Sequence, residues 1–589
     1  MSGSPAGAGV ATAVVRPAAA NDSVAFSLHL PLRNVAELDA LIENQATPGS
    51  PLYHHFLTPA QFRASYGPDP ARVAAVVKAL SAAGLQAAQT STQVISVRGP
   101  AATVERLLST KLSRITTARG AARVAAFAPY VLPNLLVQSG AVALHLHAGP
   151  QLRPASRIVP AARNVNPQNH KVSEGPYWAD DLKQAYAFPS YGTADGAGVS
   201  IAIIDGGDFS DADLSAYLAH ERIGTLANDL APPPKTAHVY LPGAPAFDPN
   251  SGDSGEANLD SQQIALTAPG AALTAFILGD DSDGSFFDAF VQIIESNAFD
   301  IVSSSYGSCE LSYLPQYNRG QDYSGVLTAQ NDLFKQGNAQ GITFVSASGD
   351  QGAFACPAAG YFLNPPTSPP TVYPAVLSVS GLASAPNTIA VGGGDLTTSG
   401  LAGGRRAVYL REQGTVASLP ADDPYGTGNE VKETFAAGGG KSAVFARPTY
   451  QNLVRTGSTM RTVPDVGGHI GSASFSSSDY SIIGGSLFVA IGTSASAPDF
   501  AALLALKASV QHSRLGLENP DIYTLSAHND QLGYWYFHQS NPGSDGFYSY
   551  DRNHQGYNYI YGVGSPHGAN FAFLPFAPLA GDPQTATNP

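Results

Sequence analysis

Residues 273–305 read LTAFILGDDSDGSFFDAFVQIIESNAFDIVSSS. Two short apolar runs, 273–278 and 301–305, bracket a helical stretch at 286–298. A buried strand, a helix and a second buried strand are the repeating unit of a parallel sheet covered on both faces. The pattern extends outward. Apolar runs at 199–204, 342–346 and 388–391 have the same character, and 326–336 is again helical. This predicts an α/β domain, a parallel sheet with helices on both faces, from about residue 177 to 580, with 581–589 as a tail. In such sheets the working residues lie beyond the carboxyl ends of the strands. No internal repeat is evident.

The N-terminal part reads differently. Residues 1–21 are rich in Ala, Gly and Pro and are expected to be disordered. Val24, Phe26, Leu28 and Leu30 alternate as in a strand. Val35, Leu38, Leu41 and Ile42 follow helical spacing. Thr58-Pro59 and Asp69-Pro70 each read as an N-cap followed by proline at the first helical position. Strands are expected at 93–98 and 141–147 and a helix at 101–110. Residues 22–148 therefore form a separate α+β domain. Between the two, 149–176 carries Pro150, Pro154, Pro160 and Pro167 with little periodicity, and reads as an exposed linker open to proteolysis.

Composition narrows the function. Of 589 residues, 44 % are hydrophobic, and only 13 % are charged against roughly 25 % in an average protein. The net charge is -14, so no basic surface points to nucleic acid. Low charge density suits acid, because fewer carboxylates must be protonated as pH falls. No apolar run is long enough to span a membrane. Met1-Ser2-Gly3-Ser4 does not open a secretory signal. The two cysteines, Cys309 and Cys356, match no zinc motif, and their number allows either free thiols or one disulfide.

Three segments carry candidate chemistry. Gly492-Thr493-Ser494-Ala495-Ser496-Ala497-Pro498 lies between an apolar run (487–491) and a helix of small apolar residues (500–506). Ser494 then stands where unpaired backbone N–H groups at a helix start can hold an oxyanion; its bland alternative is an N-cap serine. A serine nucleophile needs a base, yet none of the 14 histidines sits in a His-Gly-Thr segment. Gly255-Glu256-Ala257-Asn258-Leu259-Asp260 offers two carboxyls four residues apart. On a helix they share a face and raise one another's pKa. Read alone, they are an acidic helix start. Ser346-Ala347-Ser348-Gly349-Asp350-Gln351-Gly352 places Asp350 in a glycine-lined turn after a strand, where many aspartates merely cap their own backbone.

Together and in this order the segments resemble the sedolisin, or serine-carboxyl peptidase, family, in particular kumamolisin-like enzymes. The resemblance extends over nearly the whole chain. It includes Tyr53-His54-His55-Phe56-Leu57-Thr58-Pro59-Ala60-Gln61-Phe62 with Tyr66-Gly67-Pro68, similar to the family's propeptide. It also includes Ala185-Tyr186-Ala187-Phe188-Pro189, Ser304-Ser305-Tyr306-Gly307, Gly438-Gly439-Gly440-Lys441-Ser442 and Arg461-Thr462-Val463-Pro464-Asp465-Val466. The resemblance implies a subtilisin-like fold behind a ferredoxin-like prodomain. It implies an acid-active endopeptidase made as a secreted, monomeric, self-processing proenzyme, cut within 149–176, acting on polypeptides and held by its own prodomain. Ser494 would be the nucleophile, Glu256 the base, Asp260 its partner, and protonated Asp350 the oxyanion donor. A carboxyl donates a hydrogen bond only when protonated, so such a site favours acid. Protonation of carboxylates at the prodomain interface is expected to loosen it.

The chain departs from the pattern at Asp205, where glutamate is expected, and at Tyr306, where tryptophan is common; both are expected to bond toward Asp260. Gln539 and Asn558 stand where the family's calcium site has aspartates. Uncharged amides weaken such a site, so no cofactor is expected and calcium is doubtful, unless Asp545 or Asp551 restores it. Cys309 and Cys356 follow strands expected to be neighbours, and a disulfide between them is expected beside Asp350. Competing readings are a tripeptidyl-peptidase of the same family, a non-catalytic binding relative, and a glycosidase using Glu256 and Asp260.

Overall fold

The computed structural model describes residues 14–116, 122–126, 129–146, 151–161, 174–220, 234–399, 407–529, 535–539, 541–554 and 556–573. The expected tail at 581–589 lies outside them. Among them no helix is long and apolar enough to cross a membrane.

The N-terminal domain is built on a four-stranded antiparallel sheet. Its spatial order is Gln86–Gln89, Val94–Pro100, Ser23–His29, Val142–Leu144. With helices Val35–Ala46, Pro59–Ser65, Pro70–Ala82 and Ala101–Leu108 between the strands, this is the expected ferredoxin-like order. The start signals act as read. The Thr58 hydroxyl accepts from Gln61 N–H while the Gln61 side chain accepts from Thr58 N–H, and Asp69 accepts from Ala71 N–H. The expectation of disorder through residue 21 fails at Val14–Pro17, which pair antiparallel with Leu112–Thr116 and extend a second small sheet. Residues 1–13 lie outside the described ones.

The larger domain carries an eight-stranded sheet. In chain order its strands are β1 (Ser200–Asp205), β2 (Lys235–Tyr240), β3 (Ala272–Ile277), β4 (Ile301–Ser304), β5 (Thr343–Ala347), β6 (Ile389–Thr398), β7 (Tyr409–Gln413) and β8 (Val466–His469). In space they run β2-β3-β1-β4-β5-β6, all parallel. β6 also pairs with β8 in parallel and with β7 antiparallel. Strand alternation divides the core. Ile201 and Ile203 face helices α1 (Gly252–Thr267) and α4 (Thr493–Gln511), whereas Ala202 and Ile204 face α2 (Asp283–Ser296) and α3 (Gly325–Ala339). Both faces are covered, as the continuous apolar runs require.

The linker is where expectation and structure part. Arg153–Pro154 pairs antiparallel with Tyr306–Gly307, and Arg157–Pro160 pairs with Phe488 through Ile491. Leu152 and Ala155 are buried. The physical reason is that an extended, Pro-containing segment adds itself to two open strand edges, a pairing invisible to local periodicity. Residues 147–150 and 162–173 of the expected linker lie outside the described residues.

Candidate active site

The four candidate residues reach the site from three elements. Glu256 and Asp260 stand one turn apart on α1, Asp350 lies just beyond the carboxyl end of β5, and Ser494 occupies the first turn of α4. All four are almost completely buried. The chain passes from the strand ending at Ile491 into α4 through Gly492, whose φ is +130°. A Cβ there would lie 2.3 Å from both the Ala155 carbonyl oxygen and Asp350 Oδ2. Glycine is needed at this point because three chains converge on it.

The linker runs through the middle of this site. Ser494 N–H donates to the Ala155 carbonyl at 3.0 Å, and Ala155 N–H donates to the Ser305 carbonyl at 2.8 Å. Asp350 Oδ1 accepts from Thr493 N–H (2.8 Å) and Thr493 Oγ1 (3.0 Å). Its Oδ2 has no hydrogen-bond partner among the described residues and lies on the Ala155 side. The Ser156 hydroxyl donates to Glu256 Oε2. The Ser494 hydroxyl meanwhile donates to the Ser305 carbonyl at 3.3 Å. The Ala155–Ser156 peptide thus lies with its carbonyl on a backbone N–H at a helix start and its next side chain against the candidate base.

Burial dominates the electrostatics. It pushes the Asp350 carboxyl up to about 7, against the bonds from Thr493 and the positive charges of Arg157 and Arg153. Burial also raises Glu256 well above the usual carboxyl range. Asp260 raises it further, while the hydroxyls of Ser156 and Ser494 pull it back. Asp260 is raised by burial and by Asp205, and partly relieved by the Ser305 hydroxyl, which donates to Oδ1 at 2.8 Å. Asp205 is raised by burial, Glu256, Asp253 and Asp208. Several carboxyls packed together without a cation hold shared protons.

The sequence-derived set converges, and the structure adds Ser305, Thr493 and Ser156. Ser305 and Thr493 lie inside segments already singled out but had no role of their own there, and Ser156 had no signal. The two departures behave differently from expectation. Tyr306 donates to Asp253 Oδ1 (3.3 Å) in α1's first turn and accepts from Gly206 N–H (3.0 Å), while the bond to Asp260 comes from its neighbour Ser305. Neither Asp205 oxygen has a hydrogen-bond partner among the described residues, and the proximity of Asp205 raises Asp260.

Cys309 and Cys356 form a disulfide with Cα atoms 4.8 Å apart. As expected, the cysteines follow the paired strands β4 and β5. At the positions resembling the calcium site, Gln539 Nε2 donates to Ser526 Oγ (2.8 Å). Asn558 Oδ1 accepts from Ile560 and Tyr561 N–H groups at 2.9 and 2.8 Å. Asp545 and Asp551 each accept backbone N–H groups of their own turns. Among the described residues no three His, Cys, Asp or Glu converge as a metal site. The side chains of Gln539 and Asn558 are thus both engaged in hydrogen bonds, and neither brings a charge.

The N-terminal domain is seated on α2 and α3. Arg63 Nη2 lies 3.2 Å from Glu295 Oε2, Thr92 N–H donates to Glu295 Oε1 at 2.7 Å, and Lys335 Nζ lies 2.6 Å from Asp39 Oδ1.

Comparison with known proteins gives the family. Residues 11–139 match the pro-kumamolisin activation domain, and residues 243–564, more than half of the chain, match the subtilase family. Xanthomonalisin of Xanthomonas sp. (strain T-22) is 28 % identical over 93 % of this chain; the match spans 65 % of that relative's own length. Sedolisin of Pseudomonas sp. (strain 101) is 28 % identical over 93 % of this chain and 86 % of its own, and kumamolisin of Bacillus sp. (strain MN-32) is 26 % identical over 96 % and 94 %. A solved structure of Pseudomonas sedolisin, a serine-carboxyl proteinase complexed with pseudo-iodotyrostatin, superposes with a TM-score of 0.53 at 25 % identity. It covers 68 % of this chain and 97 % of that one.

Proposed function

Because the chain belongs to the subtilase family, in its sedolisin branch of serine-carboxyl peptidases, we propose that it is a secreted, acid-active endopeptidase that cleaves its own Ala155–Ser156 bond. The observation that carries this reading is the Ala155 carbonyl held at 3.0 Å by Ser494 N–H, with the unpartnered Oδ2 of Asp350 beside it.

In this mechanism Ser494 Oγ turns from the Ser305 carbonyl and adds to the Ala155 carbonyl carbon. Glu256 takes the hydroxyl proton, and Asp260 shares it. The oxyanion is held by Ser494 N–H and by the protonated Asp350 carboxyl, donors aimed where charge develops. Glu256 returns the proton to the departing Ser156 nitrogen. Water then releases Ala155 from Ser494 by the same steps in reverse. The reaction needs Asp350 protonated, a condition met below about pH 7, and Glu256 ionised, so the rate also falls at the acid end as the raised Glu256 carboxyl takes up its own proton. It assigns no step to a metal, in keeping with the amide side chains at Gln539 and Asn558, which are already hydrogen-bonded.

The endopeptidase reading is favoured over tripeptidyl-peptidase by the path of the linker. Leu152, the fourth residue before the bond, is still seated, donating its N–H to the Asp281 carbonyl at 2.7 Å, and the chain continues beyond it. A cleft that accepts more than three residues before the bond suits internal cleavage. Glu256 and Asp260 belong to the same buried carboxyl group as Asp205, with Ser494 alongside, which favours acyl transfer over glycoside hydrolysis.

One interface carboxyl runs against the expectation that protonation loosens docking. Burial lifts Asp332 to about 6, so protonating it favours the docked state. His29, beside Gln93 and Asp332, is instead held down to about 4 by burial. Its docked form binds fewer protons than a free imidazole, so its contribution is full above about pH 6.5 and is lost as pH falls toward 4. His29 thus adds a loosening contribution in acid.

The test is full-length protein held at pH 4, followed by intact mass. Wild type should yield a product beginning at Ser156, and Ser494→Ala should persist uncut. Cleavage of the Ser494→Ala chain at the same bond in a dilution-independent reaction would overturn the proposal.

A further inference from the structure

The segment seated in the cleft carries an arginine on each side of the Ala155–Ser156 bond, and both arginines act on one carboxylate. Glu433 lies between the short strands Glu430–Val431 and Thr434–Phe435 and is 8 % exposed. Arg157 Nη2, two residues beyond the bond, lies 3.9 Å from Glu433 Oε2. Arg153, the third residue before the bond, lies with its guanidinium 4.7 Å from the centre of the Tyr425 ring and donates to the Pro424 carbonyl at 3.4 Å. Burial raises the Glu433 carboxyl; Arg153 and Arg157 pull it back, and Asp422 pushes it up.

Glu433 takes no part in the chemistry of the bond. It is a largely buried acid whose cationic partners belong to the linker. When the linker departs, the carboxylate is left in the cleft beside an aromatic face, without those two charges. A buried charge that has lost its partner favours any ligand that restores one. We propose that Glu433 and Tyr425 form a specificity subsite that selects polypeptides with a basic residue third before, or second after, the cleaved bond. Arginine is preferred to lysine before the bond, because a planar guanidinium can stack on Tyr425 while keeping its hydrogen bonds. The inference rests on the peptidase reading and on Ala155–Ser156 as the seated bond.

The test uses processed enzyme and matched peptides that differ only at these two positions: Arg/Arg, Arg/Ala, Ala/Arg, Ala/Ala and Glu/Glu. Each arginine should raise kcat/KM over alanine on the order of fivefold, the scale of a half-exposed ion pair, and Glu/Glu should be the slowest. The arginine-to-alanine ratio should grow as pH rises and Glu433 ionises, with Asp422, Tyr425 and the substrate's own arginines as the facing groups. In Glu433→Gln the ratio should fall toward one. In Tyr425→Leu only the preference before the bond should shrink. Equal rates for Arg/Arg and Ala/Ala peptides in the wild type would overturn the subsite while leaving the peptidase reading intact, and this comparison needs no variant to fold. A ratio that survives in well-folded Glu433→Gln would also overturn it. Failure to cleave any peptide would sink the peptidase reading itself, and the subsite with it.

Discussion

Replacing Asp350 by asparagine and by alanine separates the oxyanion role from a structural one. In the intact chain the bond is already seated, so conversion is first order and its rate reports chemistry without a binding step. Thr493 holds one Asp350 oxygen by two bonds of 2.8 and 3.0 Å, leaving the other facing the Ala155 carbonyl. With its carboxyl pushed up to about 7, Asp350 is almost wholly protonated at pH 4, whereas an ordinary aspartate would be less than half protonated there. Loss of one oxyanion donor costs about 3–4 kcal/mol, or roughly 10²–10³ in rate. Asp350→Ala should therefore convert at least about a hundredfold more slowly at pH 4. Asp350→Asn keeps an acceptor for Thr493 and presents an amide N–H at every pH. It should retain much of the rate and lose the part of the alkaline decline that Asp350 sets near pH 7. The assay is a time course of intact mass at half-unit pH steps, with thermal unfolding as the control for folding. Alanine converting at the wild-type rate would refute the oxyanion role, and a stable but inactive asparagine variant would refute the donor argument.

Four further outcomes follow from the same geometry. Gly492→Ala should abolish conversion, since its Cβ would lie 2.3 Å from both Ala155 O and Asp350 Oδ2; the mass time course checks it. His29→Gln in the Ser494→Ala background should make interface amides such as Thr92 less sensitive to acid in hydrogen exchange. The effect at pH 5 should be about 2 kcal/mol, from a docked pKa of about 4 against 6.5 free, with Asp332 common to both chains. Replacing Cys309 and Cys356 by serine opens a 47-residue loop and should lower stability by about 4 kcal/mol, read from the urea midpoint. Dialysis against chelator should leave the melting temperature unchanged, because the side chains of Gln539 and Asn558 are held by Ser526, Ile560 and Tyr561; a fall of several degrees would contradict this.

Much of the fold was legible because buried parallel strands advertise themselves as unbroken apolar runs, as at Ile301–Ser304 and Thr343–Ala347. β2 (KTAHVY) and β7 (YLREQ) were not. Both are edge strands with polar residues on an open face, and such segments look like loops. Val14–Pro17 and the linker strands were missed for a related reason: their order comes from partners far away in the chain, as in Val15 against Ile115 and Arg153 against Gly307. The four candidate residues could be read because their segments together, in that order, resemble a known family; Ser494, Glu256, Asp260 and Asp350 each have a common structural reading when taken alone. Ser305, Thr493 and Ser156 could not, since a small hydroxyl residue is common everywhere and acquires its role only by position.

The central claim is that a hydroxyl activated by carboxyls cuts a bond already placed in its path. N-terminal sequencing and intact mass of wild type and Ser494→Ala, incubated side by side at pH 4, test it most directly. The account predicts a new terminus at Ser156 in the first and an unbroken chain in the second. A first cut elsewhere, or the same cut without Ser494, would contradict it.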